Sequence, residues 1–111
     1  MPSAMQPRQE PRAPILWRVQ VRAENGLRGL GHMIDLSARG CCIEAEDKPP
    51  RIKSRIILRP EGLDGLAAQV QWVRGRQFGA AFDRPIYAPV LEHFIRKHAA
   101  LAPYVSLGTP G

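Results

Sequence analysis

The chain has 111 residues, a length that suits one domain and leaves little room for a second core. Sixteen Lys plus Arg against ten Asp plus Glu give a formal charge of +6, and thirteen of the cations are arginine, whose planar fork holds phosphate oxygens in pairs and stacks its face on a base. No apolar run approaches the about 20 residues of a transmembrane helix, the N-terminus lacks the apolar stretch of a signal peptide, and the adjacent Cys41 and Cys42 have the spacing of neither a zinc site nor a disulfide framework. These features point to a cytoplasmic protein with no membrane insertion and no metal, drawn to anionic partners.

Residues 1–14 hold four prolines, two arginines and little that could enter a core, and read as an N-terminal segment that is flexible when free. From Ile15 the pattern changes. Trp17, Val19 and Val21 alternate with Arg18, Gln20 and Arg22 at the period of a half-buried strand, and Asn25-Gly26 marks a turn. A second strand is expected over about residues 28–36 and a third through Cys41, Ile43 and Ala45, with one of the two cysteines in the core. Pro49-Pro50 interrupts before a fourth strand over about residues 52–59, in which Ile52, Ile56 and Leu58 share a face. After a Gly-rich loop, Ala68, Val70 and Trp72 alternate in a fifth strand, and Gly75 turns the chain into a sixth containing Phe78, Ala80 and Phe82.

The last element differs in kind. Pro89 suits the first helical position, and Val90, Leu91, Phe94, His98 and Leu101 recur near helical spacing, giving an amphipathic helix that ends before Pro103 and covers one end of the strands. Glu92 in its first turn and Arg96, Lys97 and His98 in its last complement the helix dipole. The fold class is therefore mainly β: a six-stranded antiparallel barrel over residues 15–102 with a C-terminal α-helix, followed by a short tail over 103–111.

Two features stand apart from this scaffold. Arg8 and Arg12 lie four apart in the uncommitted N-terminal segment, and Asp35-Leu36-Ser37-Ala38-Arg39-Gly40 occupies the junction of the second and third strands, where Asp and Ser can organise a turn and Gly can adopt positive φ. Each alone is ordinary, since Asp, Ser and Gly are the usual vocabulary of turns.

Together they resemble the PilZ family, whose signature is Arg-x-x-x-Arg followed by (Asp/Asn)-x-Ser-x-x-Gly about one hairpin later. Gln69-Val70-Gln71-Trp72-Val73 resembles the family's late Val-x-Trp strand, and Phe78-Gly79-Ala80-Ala81-Phe82 its closing Gly-x-x-Phe strand. The resemblance implies a six-stranded barrel and a bacterial second messenger, cyclic di-GMP, as ligand. Arg8 and Arg12 would then neutralise phosphates, bond guanine edges and stack on a guanine face. Asp35 would accept from the guanine donor edge, Ser37 would add a hydroxyl, and Gly40 would let backbone and ligand approach. Arg39 is expected to be solvated before it is a phosphate contact. Trp72 shares the inward face with Val70 on this alternation, so core packing ranks ahead of ligand contact. Pro7 departs from the family, which commonly has arginine there, and leaves ligand stoichiometry open.

Other readings compete. Three histidines with no nucleophile and acid in a catalytic order argue against an enzyme. A basic barrel that binds nucleic acid fits the charge, but the seven aromatic residues mostly fall in core or helix positions, so DNA is not expected. A PilZ-like module for protein contact that does not bind the nucleotide is the remaining alternative. With either receptor reading, a downstream protein partner is expected and no cofactor is needed.

Overall fold

Alternation of apolar and charged residues forms the first wall of the molecule, whose computed structural model describes residues 12–100. In β1 (Ala13–Ala23), Ile15, Trp17, Val19 and Val21 are buried, while Leu16, Arg18, Gln20 and Arg22 face outward. The strand begins two residues before the change in sequence pattern at Ile15, because Ala13 and Pro14 pair with Leu36 and Asp35. The next strands are β2 (Arg28–Leu36), β3 (Gly40–Ala45), β4 (Arg55–Pro60), β5 (Leu66–Arg74) and β6 (Gln77–Phe82). All pairs are antiparallel, and the order β1-β2-β3-β6-β5-β4 closes where β4 bonds back to β1. Closure removes the free strand edges that would otherwise invite pairing with another chain.

The interior is filled by one side chain layer from every strand. Phe78, Met33, Ile43, Leu58 and Val70 are fully buried at its centre. Cys41 belongs to this core, whereas Cys42 faces the other way yet is only 5% exposed. Burial raises both thiol pKa values, that of Cys42 to about 11, so neither is a ready nucleophile at neutral pH.

The fourth strand starts at Arg55, later than expected at Ile52. Ser54 closes a tight turn by bonding its backbone N and its Oγ to the Arg51 carbonyl at 3.1 and 2.6 Å, and Lys53 sits at φ 70°. Lys53 still donates its N–H to the Val70 carbonyl at 2.8 Å, but the left-handed residue breaks the extended alternation, and Ile52 is left 55% exposed instead of sharing the core with Ile56 and Leu58.

The helix α1 (Ala88–His98) presents Leu91, Phe94, Ile95 and His98 to the barrel. Val90, expected in this stripe, is exposed, and Leu101 lies outside the described residues. Since the helix starts at Ala88, Glu92 falls beyond the first turn, which holds no acid, while Arg96, Lys97 and His98 do occupy the last. Trp17 anchors the helix. Its ring stacks on His98 with centroids 3.9 Å apart and meets Phe94 at 5.1 Å, while its Nε1 donates to the Glu61 carbonyl at 2.9 Å. Beyond α1 the chain returns to β1, where Ala99 bridges Ile15 and the Ala100 N–H reaches the Pro14 carbonyl.

Burial against the barrel, reinforced by the Lys97 charge, lowers the His98 pKa below its usual 6.5. The folded protein thus binds fewer protons here than the unfolded chain, and the stability this contributes is complete above pH 6.5 and lost as pH falls through the depressed value. Urea unfolding from about pH 7.5 to about pH 5 should show a smaller fall in midpoint for His98→Phe than for the parent. Trp17→Ala should remove about 3–5 kcal/mol of stability at either pH.

Candidate functional site

Residues directly opposite in neighbouring strands point to the same face. Following the ladders from β1 to β5, Pro14 stands opposite Asp35, Asp35 opposite Cys42, Cys42 opposite Gly79, and Gly79 opposite Trp72. Their inward neighbours Leu36, Cys41 and Ala80 are in the core, so this row lies on the outer wall. Asp35 and Trp72 flank it three strand spacings apart, about 14 Å at the usual separation. Between them Cys42 and Gly79 carry almost no side chain, so this stretch of the row is a trough in side-chain size, with the Trp72 indole lying over Gly79.

Trp72 is outside because of a bulge. The β5–β6 register shifts between Val70 and Trp72, so that Val70 faces Ala80 while Trp72 faces Gly79. The extra residue reverses the alternation, and the expectation that Trp72 shares the inward face with Val70 is overturned. The half-exposed indole lies across Gly79, where a Cβ would come within 2.1 Å of Nε1, and the Arg74 guanidinium sits 5.3 Å from its ring centroid. Arg74 was not singled out in the sequence, and Gly79 stood there as the glycine of the closing Gly-x-x-Phe strand with no contact to Trp72 assigned to it. A glycine inside a strand pattern was the available signal, since it marks a close approach.

At the other flank, Arg12 reaches Asp35 across 23 residues of chain, with Nη1 donating to Oδ1 at 2.6 Å. Both groups remain partly solvated, with side chains 48% and 29% exposed. Such a pair contributes about 0–1 kcal/mol, enough to hold the guanidinium beside the carboxylate and little enough to be exchanged for another anion. Arg8 lies outside the described residues, as do the rest of the N-terminal segment up to residue 11 and the C-terminal tail.

The Asp-x-Ser-x-x-Gly turn is fixed from two sides. The Ser37 backbone N–H donates to the Gly40 carbonyl at 2.9 Å, and the Ser37 hydroxyl, 2% exposed as part of its residue, bonds the same carbonyl and accepts from the Arg39 N–H, both at 3.3 Å. The chain after β6 clasps the turn from outside, with Phe82 N–H donating to the Arg39 carbonyl and Ile86 N–H to that of Ala38, both at 2.8 Å. Arg39 itself is exposed. Gly40 does not use positive φ, contrary to expectation. A Cβ there would lie 2.4 Å from the Ala80 carbonyl, so its smallness serves the contact between β3 and β6. Of the expected site residues, Arg12, Asp35 and Trp72 thus share one outer surface, while Ser37 and Gly40 shape the turn beside it.

Among the described residues no cluster of His, Cys, Asp or Glu could hold a metal, and no helix is long and apolar enough to cross a membrane. Fold and site together define a small closed barrel with an arginine–carboxylate pair and an aromatic ring on one outer face. The PilZ domain profile matches residues 6–97, and the chain belongs to the PilZ domain family, a family of cyclic di-GMP receptors. Solved structures agree on the fold. The PilZ domain of CeSA from a cellulose-synthesizing bacterium superposes with a TM-score of 0.59 at 18% identity, over 79% of this chain and 94% of that one. The Bacillus subtilis inhibitor of motility, MotI/DgrA, gives 0.55 at 20% identity over 81% of this chain, which spans 50% of the length of that one. No curated protein matches the sequence.

Gly79→Ala should expel the Trp72 indole from its seat and shift tryptophan emission to the red, with Trp17 buried and unmoved. Gly40→Ala should act differently, forcing two backbones apart and lowering stability by about 1–3 kcal/mol without a change in emission of the folded state. Emission spectra and urea titrations of the two variants separate these effects.

Proposed function

We propose that this protein is a cytoplasmic receptor that binds cyclic di-GMP in the trough between Asp35 and Trp72 and passes the signal to a partner protein. The observation that carries this reading is the meeting of Arg12 and Asp35 on the same outer row as Trp72. A cyclic dinucleotide offers two phosphates, two donor-rich guanine edges and two aromatic faces. The site offers a complement to each.

Arg12 exchanges its weak bond to Asp35 for a phosphate or guanine acceptor, and Arg8, four residues earlier on the same segment, supplies a second guanidinium. The released Asp35 carboxylate accepts from the N1–H and amino group of guanine, donors that adenine does not reproduce. Trp72 stacks on a base, with Arg74 beyond it, and Ser37 and Gly40 hold the turn that aims Asp35. No group in this arrangement performs a chemical step. Binding fixes the N-terminal segment over the barrel, and the altered surface is what a partner reads.

Calorimetric titration tests this directly. Cyclic di-GMP should bind and cyclic di-AMP should not. Each lost charge-assisted bond is worth about 1.5–3 kcal/mol, roughly ten- to a hundredfold in affinity, so the double variant Arg8→Ala/Arg12→Ala should be nearly silent. Asp35→Ala should weaken binding and relax discrimination against cyclic di-AMP more than Asp35→Asn, which keeps one acceptor. Trp72→Ala should lose about 1–3 kcal/mol of stacking. Unchanged affinity in the double arginine variant removes the proposal.

A further inference from the structure

A second surface, remote in register from this trough, gathers four arginines. Along β1 the outward residues are Arg18, Gln20 and Arg22. The flanking ladders set Arg22 opposite Arg28 of β2 and Ile57 of β4, and Gln20 opposite Leu30 and Arg59. Opposed side chains stand about 4.5–5.5 Å apart at Cβ, so Arg22, Arg28 and Arg59 crowd one patch, and Arg18 extends it along the strand. All four are exposed, and none is ion-paired with a described carboxylate. The patch is a groove of about 380 Å³, with Leu30 and Ile57 also in its lining and no acidic residue among those that form it.

Two cations directly opposite on a sheet repel each other, and no described residue offsets the Arg22–Arg28 pair. The geometry points to an acidic, partly aliphatic segment of a partner protein as the occupant of this groove. Carboxylates fit the guanidinium forks, and Leu30 and Ile57, 43% and 36% exposed, give an aliphatic side chain something to cover. Arginine is among the residues enriched at protein interfaces. Nucleic acid fits less well, because among the described residues this face carries no Trp, Tyr or Phe on which a base could stack. A recessed groove also suits a protruding chain better than a flat lipid surface. Since the barrel has no free edge, the segment docks through side chains and not by adding a strand.

The test uses a fluorescent Glu-rich peptide with interspersed Leu, its Gln counterpart, duplex DNA, and vesicles containing an anionic phospholipid. The Glu peptide should bind the full chain at low salt and the Gln peptide should not. Arg22→Ser/Arg28→Ser should weaken the Glu peptide by about tenfold or more, and Arg22→Lys/Arg28→Lys, which keeps the charge and loses the forks, should fall between. Circular dichroism confirms that each variant is folded. Cyclic di-GMP titration should be unaffected, which separates this surface from the trough. The inference is overturned by a parent protein that ignores the Glu peptide, by equal binding in the serine variant, or by equal binding of the Gln peptide. It is also overturned if DNA, vesicles or cyclic di-GMP are what the serine variant loses.

Discussion

Once six short strands close on themselves, each side chain's face is dictated by its neighbours in both directions around the ring. Parity set at one ladder is handed to the next, and only a bulge can reverse it. The β1–β2 register slips between Pro14 and Trp17, the β2–β3 register between Met33 and Asp35, and the β5–β6 register between Val70 and Trp72. The first two slips meet at the second strand around Ile34. There Met33 and Leu36 both enter the core while Asp35 remains outside, opposite Pro14 and Cys42. The third puts an indole on the wall where uninterrupted alternation would have buried it. An acidic flank and an aromatic flank on one surface are thus consequences of where the ladder slips.

The same wall has to be thin between those flanks. Gly40 and Gly79 both stand where a methyl group would strike something: the Ala80 carbonyl in one case, the Trp72 ring in the other. Cys42 lies between them in the ladder, opposite Gly79 and next in strand to the core residue Cys41. A trough made by omitting side chains has a rigid floor, because it is backbone backed by the packed interior. The polar turn at its rim is equally constrained, with its carbonyls and hydroxyl committed to the turn and to the segment that follows β6. Little reorganisation is left for a ligand to drive on the barrel side. The Arg12 contact is the adjustable part, being an exposed ion pair at the very start of the described chain.

Charge is divided unevenly over the barrel. In the trough an arginine is matched to an aspartate, and just beyond β6 Asp83 is likewise paired with Arg55. On the outer face of β4, β1 and β2 four arginines have no such match among the described residues, and sheet register holds two of them face to face. Paired and unpaired cations answer different requirements: the first pre-positions a group, the second keeps a surface open to anions. The helix takes no part in either surface, since its packed stripe is spent on Trp17 and its neighbours at the barrel end.

The strands were legible in the sequence because each is short, alternating and bounded by Gly, Pro or Asn turns, and local periodicity reports local burial. Trp17, Val19 and Val21 announce an inner face without reference to any other strand, and the two motifs announce the PilZ family by their order. The start of the fourth strand was misread because one left-handed residue, Lys53, breaks the alternation without leaving a mark in hydropathy. Trp72 was misread for a related reason: a bulge is a relation between two strands, and the run from Ala68 to Trp72 alternates when seen alone. Likewise Gly40 looked like a turn glycine, while its need for smallness lies in a carbonyl 40 residues away. The sequence determined which segments pair and which residue types could meet a nucleotide. Only closure of the barrel, which couples the register of every ladder to the next, decided that Asp35 and Trp72 face the same way and that Arg22 and Arg28 oppose each other.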